Sequence, residues 1–271
     1  MKELLRKLGK KPLVVELTAK LGIRGVFGAI YRFFFAPAGG KHEVYVVDRR
    51  AYFRVYSAAA VQALDSLGGE RPMLGFLMTR LSVGDCFYDV GAATGLYTVF
   101  LAQVVGEHGQ VVAFEPERDA YERLRENVKL NQLRNVQAFR LALGEKDERA
   151  ILLTAEVAGG GRIVVPGESP PRGIEHIQVV QGDAFVKKQG LMSPRAIKID
   201  VEGHEYSVLS GLNQTLSLPS CEFVCCEIHP RFLRPSLDPE DVLGLLRSAG
   251  FDEIQIHPRG TDLHAWAVKH R

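Results

Sequence analysis

Apolar residues follow two alternating patterns from residue 84 to the end of the chain. Short apolar runs such as 86–90 and 196–200 predict buried strands. Longer stretches with apolar residues at helical spacing, such as 117–130, predict helices that pack on one face. Strands are expected at 86–90, 111–114, 136–143, 196–200, 223–228, 253–257 and 263–268, and helices at 94–105, 117–130, 204–212 and 239–249.

The order of these elements predicts an α/β fold. Strands separated by helices form a mostly parallel, doubly wound sheet, because each crossover helix returns the chain in the same direction. The strands at 253–257 and 263–268 are too close in sequence for a crossover. They are therefore expected to form a terminal hairpin, which places one antiparallel strand in the sheet.

Residues 150–182 depart from this alternation. Antiparallel strands are expected at 151–154, 162–165 and 176–181, around a Gly- and Pro-rich loop at 158–173. Asp183 is expected to cap the helix that follows it. Ahead of the core, 43–57 predicts a hairpin or short strands, and 70–80 predicts a helix.

Residues 1–40 are predicted to form a basic, amphipathic helical extension of a domain that spans 41–271. Residues 1–35 hold eight Lys/Arg and two Glu, a net charge of +6. Since the whole chain carries +2, the remaining residues carry −4. The extension is expected to pack on the domain, and the alternative is that residues 1–35 contact a membrane surface peripherally or dock to a partner. A mildly acidic domain matches nucleic acid poorly, so no nucleic-acid partner is expected.

The composition also bears on the compartment. The chain has no run of about 18 apolar residues that could span a membrane, and its start does not resemble a signal peptide. Its four cysteines are too few for a disulfide framework. A cytoplasmic protein with reduced cysteines is expected. A zinc site at Cys221, Cys225, Cys226 and His229 is disfavoured, because these residues contain no C-x-x-C pair.

Candidate ligand-binding residues follow the predicted strands, at the edge where open α/β sheets bind ligands. Asp89 ends the first strand, and Gly91 and Gly95 in the next turn let the backbone approach a ligand closely. Glu115 ends the second strand, where a carboxylate can accept hydrogen bonds from ribose hydroxyls. Such an acid suits NAD as well as S-adenosylmethionine. The G-x-G-x-x-G fingerprint of dinucleotide sites is absent, which disfavours an oxidoreductase.

The chain resembles the FkbM family of methyltransferases over roughly residues 70–250. The match extends over 197–205, and its most specific part is the run 198–205, Lys-Ile-Asp-Val-Glu-Gly-His-Glu. The other matching residues are 87–92, Gly95, 113–116, Leu124, Asn127, Val128, Asn131, Ala142, Leu143 and Glu227. The family usually has Asn where this chain has Ala93, so a polar contact near the cofactor is expected to be missing.

The resemblance implies the Rossmann-like fold of class I methyltransferases with S-adenosylmethionine as cofactor. It also implies O-methylation of a hydroxyl on a sugar, a glycan or another small metabolite. The cofactor site is expected at Asp89, Gly91, Ala92, Gly95, Glu115 and Ala142. The alternatives are N- or C-methylation by the same fold, or a non-catalytic protein that binds S-adenosylmethionine and docks to a partner.

Asp200, His204 and Glu227 are the candidate catalytic residues. Asp200 ends a buried strand, where an unpaired carboxylate is costly, and His204 at a helix start can titrate near neutrality. Glu202 and Glu205 flank the same helix start, where acids complement the helix dipole. No metal is expected, and the alternative is a divalent ion held by Asp200 and Glu227 with a histidine.

Overall fold

The structure, a computed structural model, describes residues 40–56, 58–154, 160–164 and 173–270. Within these, 40–44 with 52–70 form one compact unit, and 45–51 with 71–270 form a larger one. Apart from Gly40, the predicted N-terminal extension lies outside the described residues, as does most of the 158–173 loop. No helix in the described part of the chain has the length and apolar character needed to cross a bilayer.

The first elements of the described chain are a hairpin and two helices. They are β1 (Gly40–Val46), β2 (Arg49–Val55), α1 (Ala58–Ser66), a 3-10 turn (Leu67–Gly69) and α2 (Arg71–Arg80). The strands pair with each other in a two-stranded sheet. The hairpin at 43–57 and the helix at 70–80 are thus confirmed, whereas α1 was not predicted.

The centre of the larger unit is a seven-stranded sheet. Its strands are β3 (Cys86–Val90), β4 (Gln110–Phe114), β5 (Val136–Phe139), β10 (Ala196–Asp200), β11 (Phe223–Ile228), β12 (Glu253–Arg259) and β13 (Asp262–Val268). They lie in the order β12-β13-β11-β10-β3-β4-β5. The pairs among β5, β4, β3, β10 and β11 are parallel, and β13 is antiparallel to both of its neighbours. The predicted terminal hairpin is confirmed.

In the described part of the chain, six helices connect these strands. They are α3 (Leu96–Val105), α4 (Arg118–Leu130), α5 (Gly182–Gln189), α6 (Glu205–Gly211), α7 (Asn213–Ser217) and α8 (Pro239–Ser248). The start of α8 shows how the sequence sets a boundary. Asp238 and Asp241 form a reciprocal capping box around Pro239 at the first helical position, an arrangement that stabilises a helix start by about 1 kcal/mol.

Helices cover the sheet and bury its central strands. Every residue of β3 and β11 is buried, as expected for strands covered on both faces. The main core packs Tyr88, Ile197 and Val224 of the sheet with Val208 of α6 and Leu246 of α8. Burial of one such aliphatic side chain contributes roughly 1.5–3 kcal/mol. This core fixes the ends of the central strands relative to one another.

A second, four-stranded sheet follows β5, in the order β6-β9-β7-β8. Its strands are β6 (Ala142–Gly144), β7 (Glu148–Leu153), β8 (Arg162–Ile163) and β9 (Ile174–Gln181). The antiparallel pairs of β7 with β8 and β9 confirm the expected change of pattern at 150–182. The prediction of one strand over 136–143 is wrong. The chain leaves the central sheet after Phe139, and Ala142–Gly144 pairs instead with β9, parallel to it.

Candidate active site

The turn after β3 brings two strand ends unusually close together. The backbone amides of Gly91 and Ala92 both donate to the carbonyl of Phe114, at 3.0 Å. Gly91 has a φ of +78°, and a Cβ atom there would lie 1.8 Å from the backbone oxygen of Asp200. Only glycine fits this position. The turn therefore sets the distance between the ends of β3 and β10.

The rest of the turn is held by the acid at the end of β4. The amide of Ala93 donates to Glu115 Oε2 at 2.7 Å, and that of Glu117 donates to Glu115 Oε1 at 2.9 Å. Ala93 has a φ of +48°, in the left-handed region that Asn tolerates better than Ala. The structure thus gives a backbone reason for the Asn that the family usually has at this position.

Two buried carboxyl groups flank the turn. Asp89 is fully buried; its Oδ2 accepts a 2.5 Å hydrogen bond from Thr98, whereas its Oδ1 has no partner among the described residues. Burial raises the pKa of Asp89, and the charge of Lys198, which lowers it, offsets this only in part. Burial also raises the pKa of Glu115, to about 7, against the two backbone hydrogen bonds.

A cleft opens between these strand ends and the four-stranded sheet. It is lined by Gly91, Glu115, Pro116, Ala142, Leu143, Leu152, Gly161, Ile163, Asp200, Val201, Glu202 and His204. Three predicted cofactor residues, Gly91, Glu115 and Ala142, line it. Asp89, Ala92 and Gly95 do not line it, but they belong to β3 and the turn that shape its floor.

Asp200 stands at the mouth of the cleft with a lysine beside it. Lys198 is buried; its Nζ donates to Asp200 Oδ2 at 3.1 Å and to the carbonyl of Gly91 at 3.2 Å. Burial raises the pKa of Asp200, but the charges of Lys198 and His229 outweigh it and leave the pKa below its ordinary value. Asp200 is therefore ionised and oriented at neutral pH.

His229 occupies the centre of a cluster of acids. Its Nδ1 lies 2.8 Å from Oε1 of Glu205, a fully buried residue, and its Nε2 faces three further carboxylates. The distances from Nε2 are 3.6 Å to Glu202, 3.9 Å to Asp200 and 3.9 Å to Glu227. Burial lowers the pKa of His229, but the hydrogen bond and charge of Glu205 raise it, to about 9.

Glu227 is held by residues of the terminal hairpin. Asp200 and Glu227 are paired positions on adjacent strands, and His264 lies opposite Glu227 on β13. Glu227 Oε2 lies 3.1 Å from Nε2 of His264 and 3.3 Å from Nη1 of Arg259. Asp200 and Glu227 thus meet as predicted, with cationic or polar partners on their outer oxygens.

The third predicted catalytic residue, His204, faces a different part of the cleft. A Cβ atom added to Gly144 would lie 3.3 Å from its Nε2, and this nitrogen is buried without a hydrogen-bond partner among the described residues. Burial and the charge of Arg234 lower the pKa of His204 to about 4. His204 is therefore neutral at pH 7, and His229 is the histidine that joins Asp200 and Glu227.

These groups fit the parts of S-adenosylmethionine. The Oδ1 atom of Asp89 is buried without a partner, which is costly unless a ligand or water supplies one. The ammonium of the methionine tail is such a donor. Glu115, at the next strand end, retains acceptor capacity for ribose hydroxyls in addition to its two backbone donors.

The strand order, the single antiparallel strand β13, the glycine turn and the acid after β4 together define a class I methyltransferase that uses S-adenosylmethionine. More narrowly, the chain belongs to the FkbM family: the family model "Methyltransferase FkbM domain" matches residues 89–253. The model for protein-L-isoaspartate(D-aspartate) O-methyltransferases also matches, at residues 3–147. The protein is therefore an enzyme that transfers methyl groups.

One relative and two solved structures illustrate the similarity. The hexuronic acid methyltransferase AglP of Haloferax volcanii is 31% identical over 199 residues, which are 73% of this chain and 77% of that protein. Aeropyrum pernix fibrillarin with bound S-adenosyl-L-methionine aligns at 11% identity and a TM-score of 0.47, over 87% of this chain and 85% of its own. A SAM-dependent methyltransferase from Aquifex aeolicus aligns at 17% identity and a TM-score of 0.42, over 79% and 98%.

Several residues of the site were not predicted to be catalytic or cofactor-binding. They are Lys198, Glu205, His229, Arg259 and His264. The sequence holds a signal for two of them. Lys198 precedes Asp200 by two positions, and His229 follows Glu227 by two. Because alternate residues of a strand share a face, each of these pairs is expected to lie on one face of the sheet. Arg259 and His264 reach the site only through the pairing of β13 with β11 and β12.

Proposed function

We propose that the protein transfers the methyl group of S-adenosylmethionine to an oxygen of a hexuronic acid, or of a sugar closely related to one. The observation that carries this proposal is the similarity to the hexuronic acid methyltransferase AglP, which extends over most of both chains. The carboxylate cluster beside the cleft supports transfer to a hydroxyl. It offers acceptors for the hydroxyl proton next to the expected position of the cofactor.

The chemistry is a displacement at carbon. When bound, S-adenosylmethionine supplies an electrophilic methyl group and leaves as S-adenosylhomocysteine. A bond forms between the acceptor oxygen and the methyl carbon, the carbon–sulfur bond breaks towards sulfur, and the hydroxyl proton is released. The main task of the protein is to hold the acceptor oxygen in line with that carbon at close distance.

Asp200 is the proposed acceptor of the hydroxyl proton. It lines the cleft, and Lys198 holds its Oδ2 so that Oδ1 points to the cluster. The low pKa of Asp200 keeps it ionised, and a positioned base contributes about 10²–10⁴-fold to a rate. Glu227 contributes a further carboxylate to the group around His229, and the neutral His204 lines the cleft next to β6.

The test is an acceptor screen with labelled S-adenosylmethionine. Glucuronic and galacturonic acid glycosides are compared with the matching neutral glycosides, and the methyl position is assigned by mass spectrometry and NMR. We expect an O-methylated uronic acid product. Methylation confined to the neutral sugars, or to a nitrogen or carbon atom, would contradict the proposal.

Asp200→Asn separates binding from catalysis. The amide keeps the size of the side chain but cannot accept the proton, so turnover should fall by about 10²-fold or more. The affinity for S-adenosylmethionine, measured by calorimetry, should stay within about threefold of wild type. Asp119→Asn, on the exposed face of α4, is the matched control and should leave both values unchanged. Full turnover by Asp200→Asn would remove Asp200 from the mechanism.

A further inference from the structure

Three side chains at the ends of β10 and β11 have the composition of a metal site. Asp200, Glu227 and His229 each offer one ligand atom, and these atoms lie within 4.8 Å of one another. Atoms bound to one cation at about 2.0–2.2 Å lie at most about 4.4 Å apart, so small side-chain rotations would bring all three onto one ion. Glu202 offers a fourth ligand atom, an oxygen that lies 3.6 Å from Nε2 of His229.

The distances inside the cluster do not suit direct hydrogen bonds. Nε2 of His229 lies 3.6–3.9 Å from its three carboxylate neighbours, beyond the usual range of about 2.7–3.2 Å. The His229 side chain is only 4% exposed. Its Nε2 atom therefore points into a group of carboxylates that all lie beyond hydrogen-bond distance.

Each of the three ligands is already oriented by a second group. Glu205 holds Nδ1 of His229 at 2.8 Å, which leaves Nε2 directed into the cluster. Lys198 holds Oδ2 of Asp200 and leaves Oδ1 free to face His229. Such outer partners, a buried carboxylate on the histidine above all, are the usual support of metal ligands in proteins.

Glu227 follows the same arrangement. His264 lies 3.1 Å from its Oε2, and Arg259 Nη1 donates to both oxygens, at 3.3 Å to Oε2 and 3.4 Å to Oε1. Its Oε1 is the oxygen that faces Nε2 of His229.

The charge balance of the cluster favours a divalent cation. Four carboxylates, those of Asp200, Glu202, Glu205 and Glu227, surround His229. Two permanent cations, Lys198 and Arg259, contact this group. Like charges at this separation raise the free energy of the folded state unless they are compensated. A proton on His229 supplies one further positive charge, and a divalent ion that replaces this proton supplies two.

The geometry points to a divalent-cation site formed by Asp200, Glu227 and His229, with Glu202 as a fourth ligand, in which the ion also binds oxygens of the acceptor. Each carboxylate oxygen has two lone pairs, so Asp200 can bind the ion and still accept the hydroxyl proton. This role rests on the proposed function. A uronic acid is itself an anion, and a cluster of carboxylates would repel it unless a cation lies between them. Side chains of Asp200 and Glu202 are 27% and 29% exposed, so the ion would be open towards the cleft.

A mixed set of carboxylate oxygens and one imidazole nitrogen suits Mn²⁺ and its neighbours in the first transition row better than Mg²⁺. Mn²⁺ is therefore the probe. The full-length protein is treated with a chelator, desalted and titrated with MnCl₂, and free Mn²⁺ is followed by electron paramagnetic resonance. One equivalent should bind, and pulsed resonance should detect a coordinated imidazole nitrogen.

Variants locate the ion. His229→Gln and Asp200→Asn should each weaken Mn²⁺ binding by tenfold or more. Glu205→Gln removes the charge of the outer partner of His229, which also accepts from the amide of Gly203, and should weaken Mn²⁺ binding by about 10–100-fold. His176→Gln, an exposed histidine on β9, is the matched control and should bind Mn²⁺ like wild type. Calorimetry with S-adenosylmethionine verifies that each variant is folded.

The outcomes separate this inference from the proposed function. If wild type binds S-adenosylmethionine but no Mn²⁺, or binds Mn²⁺ without a nitrogen ligand, the metal site is wrong, and a proton on Nε2 of His229 is the cation of the cluster. If Mn²⁺ binds with the nitrogen coupling but no uronic acid is methylated, the site stands and the proposed acceptor falls.

Discussion

At the scale of single residues, Gly91 shows how one position can set the geometry of a site. Its backbone has a positive φ, and the carbonyl of Asp200 occupies the space where a side chain would begin. The same contact places the turn after β3 next to Asp200, the proposed proton acceptor. Asp200 is thus positioned by the backbone of Gly91 as well as by the ammonium of Lys198.

Gly91→Ala should therefore destabilise the protein by about 3 kcal/mol or more, because it adds a clash to an unfavourable backbone conformation. Gly84→Ala is the matched control. Gly84 also has a positive φ, but a Cβ atom there would meet nothing within 4 Å, so only the conformational cost of about 1–2 kcal/mol applies. Urea unfolding of both variants gives the comparison. Equal losses would show that the contact with Asp200 has no energetic weight.

Glu115 predicts a pH dependence of cofactor binding. Its pKa lies near 7, above the ordinary value of a glutamate, so it gains a proton as the pH falls through neutrality. The protonated form accepts hydrogen bonds from ribose less well and no longer attracts the cationic cofactor. Affinity for S-adenosylmethionine should therefore rise from about pH 6 to about pH 8.

Calorimetry over this range measures the effect, and Glu115→Gln provides the control. The variant should bind more weakly at high pH and show a flatter profile, because the titrating group is gone. A wild-type profile as flat as that of the variant would exclude Glu115 as the titrating group.

At the scale of elements, the outcome for Asp183 shows where local sequence rules fail. A residue at the start of a helix was predicted to cap that helix, but Gln181 is the N-cap of α5 and accepts from the amide of Ala184. The carboxylate of Asp183 accepts instead from two backbone amides and one hydroxyl at Gln214 and Thr215, in α7. Asp183 does accept from backbone amides at a helix start, as predicted, but that helix is α7, where Gln214 lies 31 residues away.

Asp183→Ala should consequently lower stability by about 1–2 kcal/mol, through the loss of three acceptor contacts at α7. For a domain of this size, that corresponds to a fall of roughly 2–8 °C in Tm. Lys187→Ala, on the exposed side of the same helix, should leave Tm nearly unchanged. A Tm for Asp183→Ala that matches this control would show that the contacts with α7 contribute no net stability.

The strands of the central sheet could be predicted well because their signal is local. Cys86–Val90, Ala196–Asp200 and Phe223–Ile228 are short apolar runs with clear ends, and the structure places strands at the same residues. The stretch 136–143 could not be divided from its own pattern, because both halves are compatible with a strand. Which sheet each half joins depends on β9, more than 30 residues further along the chain.

At the scale of the whole molecule, the candidate site is made of strand ends that only the topology brings together. Asp200 and Glu227 could be paired in advance, because they end strands that the fold class places side by side. His264 and Arg259 could not, because they lie on the hairpin that follows α8. The separation of His204 from the cluster was also not predictable, since it depends on how the start of α6 packs against Gly144.

We propose that the acceptor sugar binds at the carboxyl ends of β10 and β11, beside Asp200, Glu227 and His229, with the adenosine part of the cofactor next to Glu115. Fold, charge and family membership are all consistent with this arrangement.

A crystal structure with S-adenosylhomocysteine and a glucuronic acid glycoside tests it most directly. We expect the ribose hydroxyls to bind Glu115, and a sugar oxygen in line with the sulfur atom to lie within hydrogen-bonding or metal-bridged distance of Asp200. A sugar bound on another surface, with the cluster of Asp200, Glu227 and His229 turned away from both ligands, would contradict it.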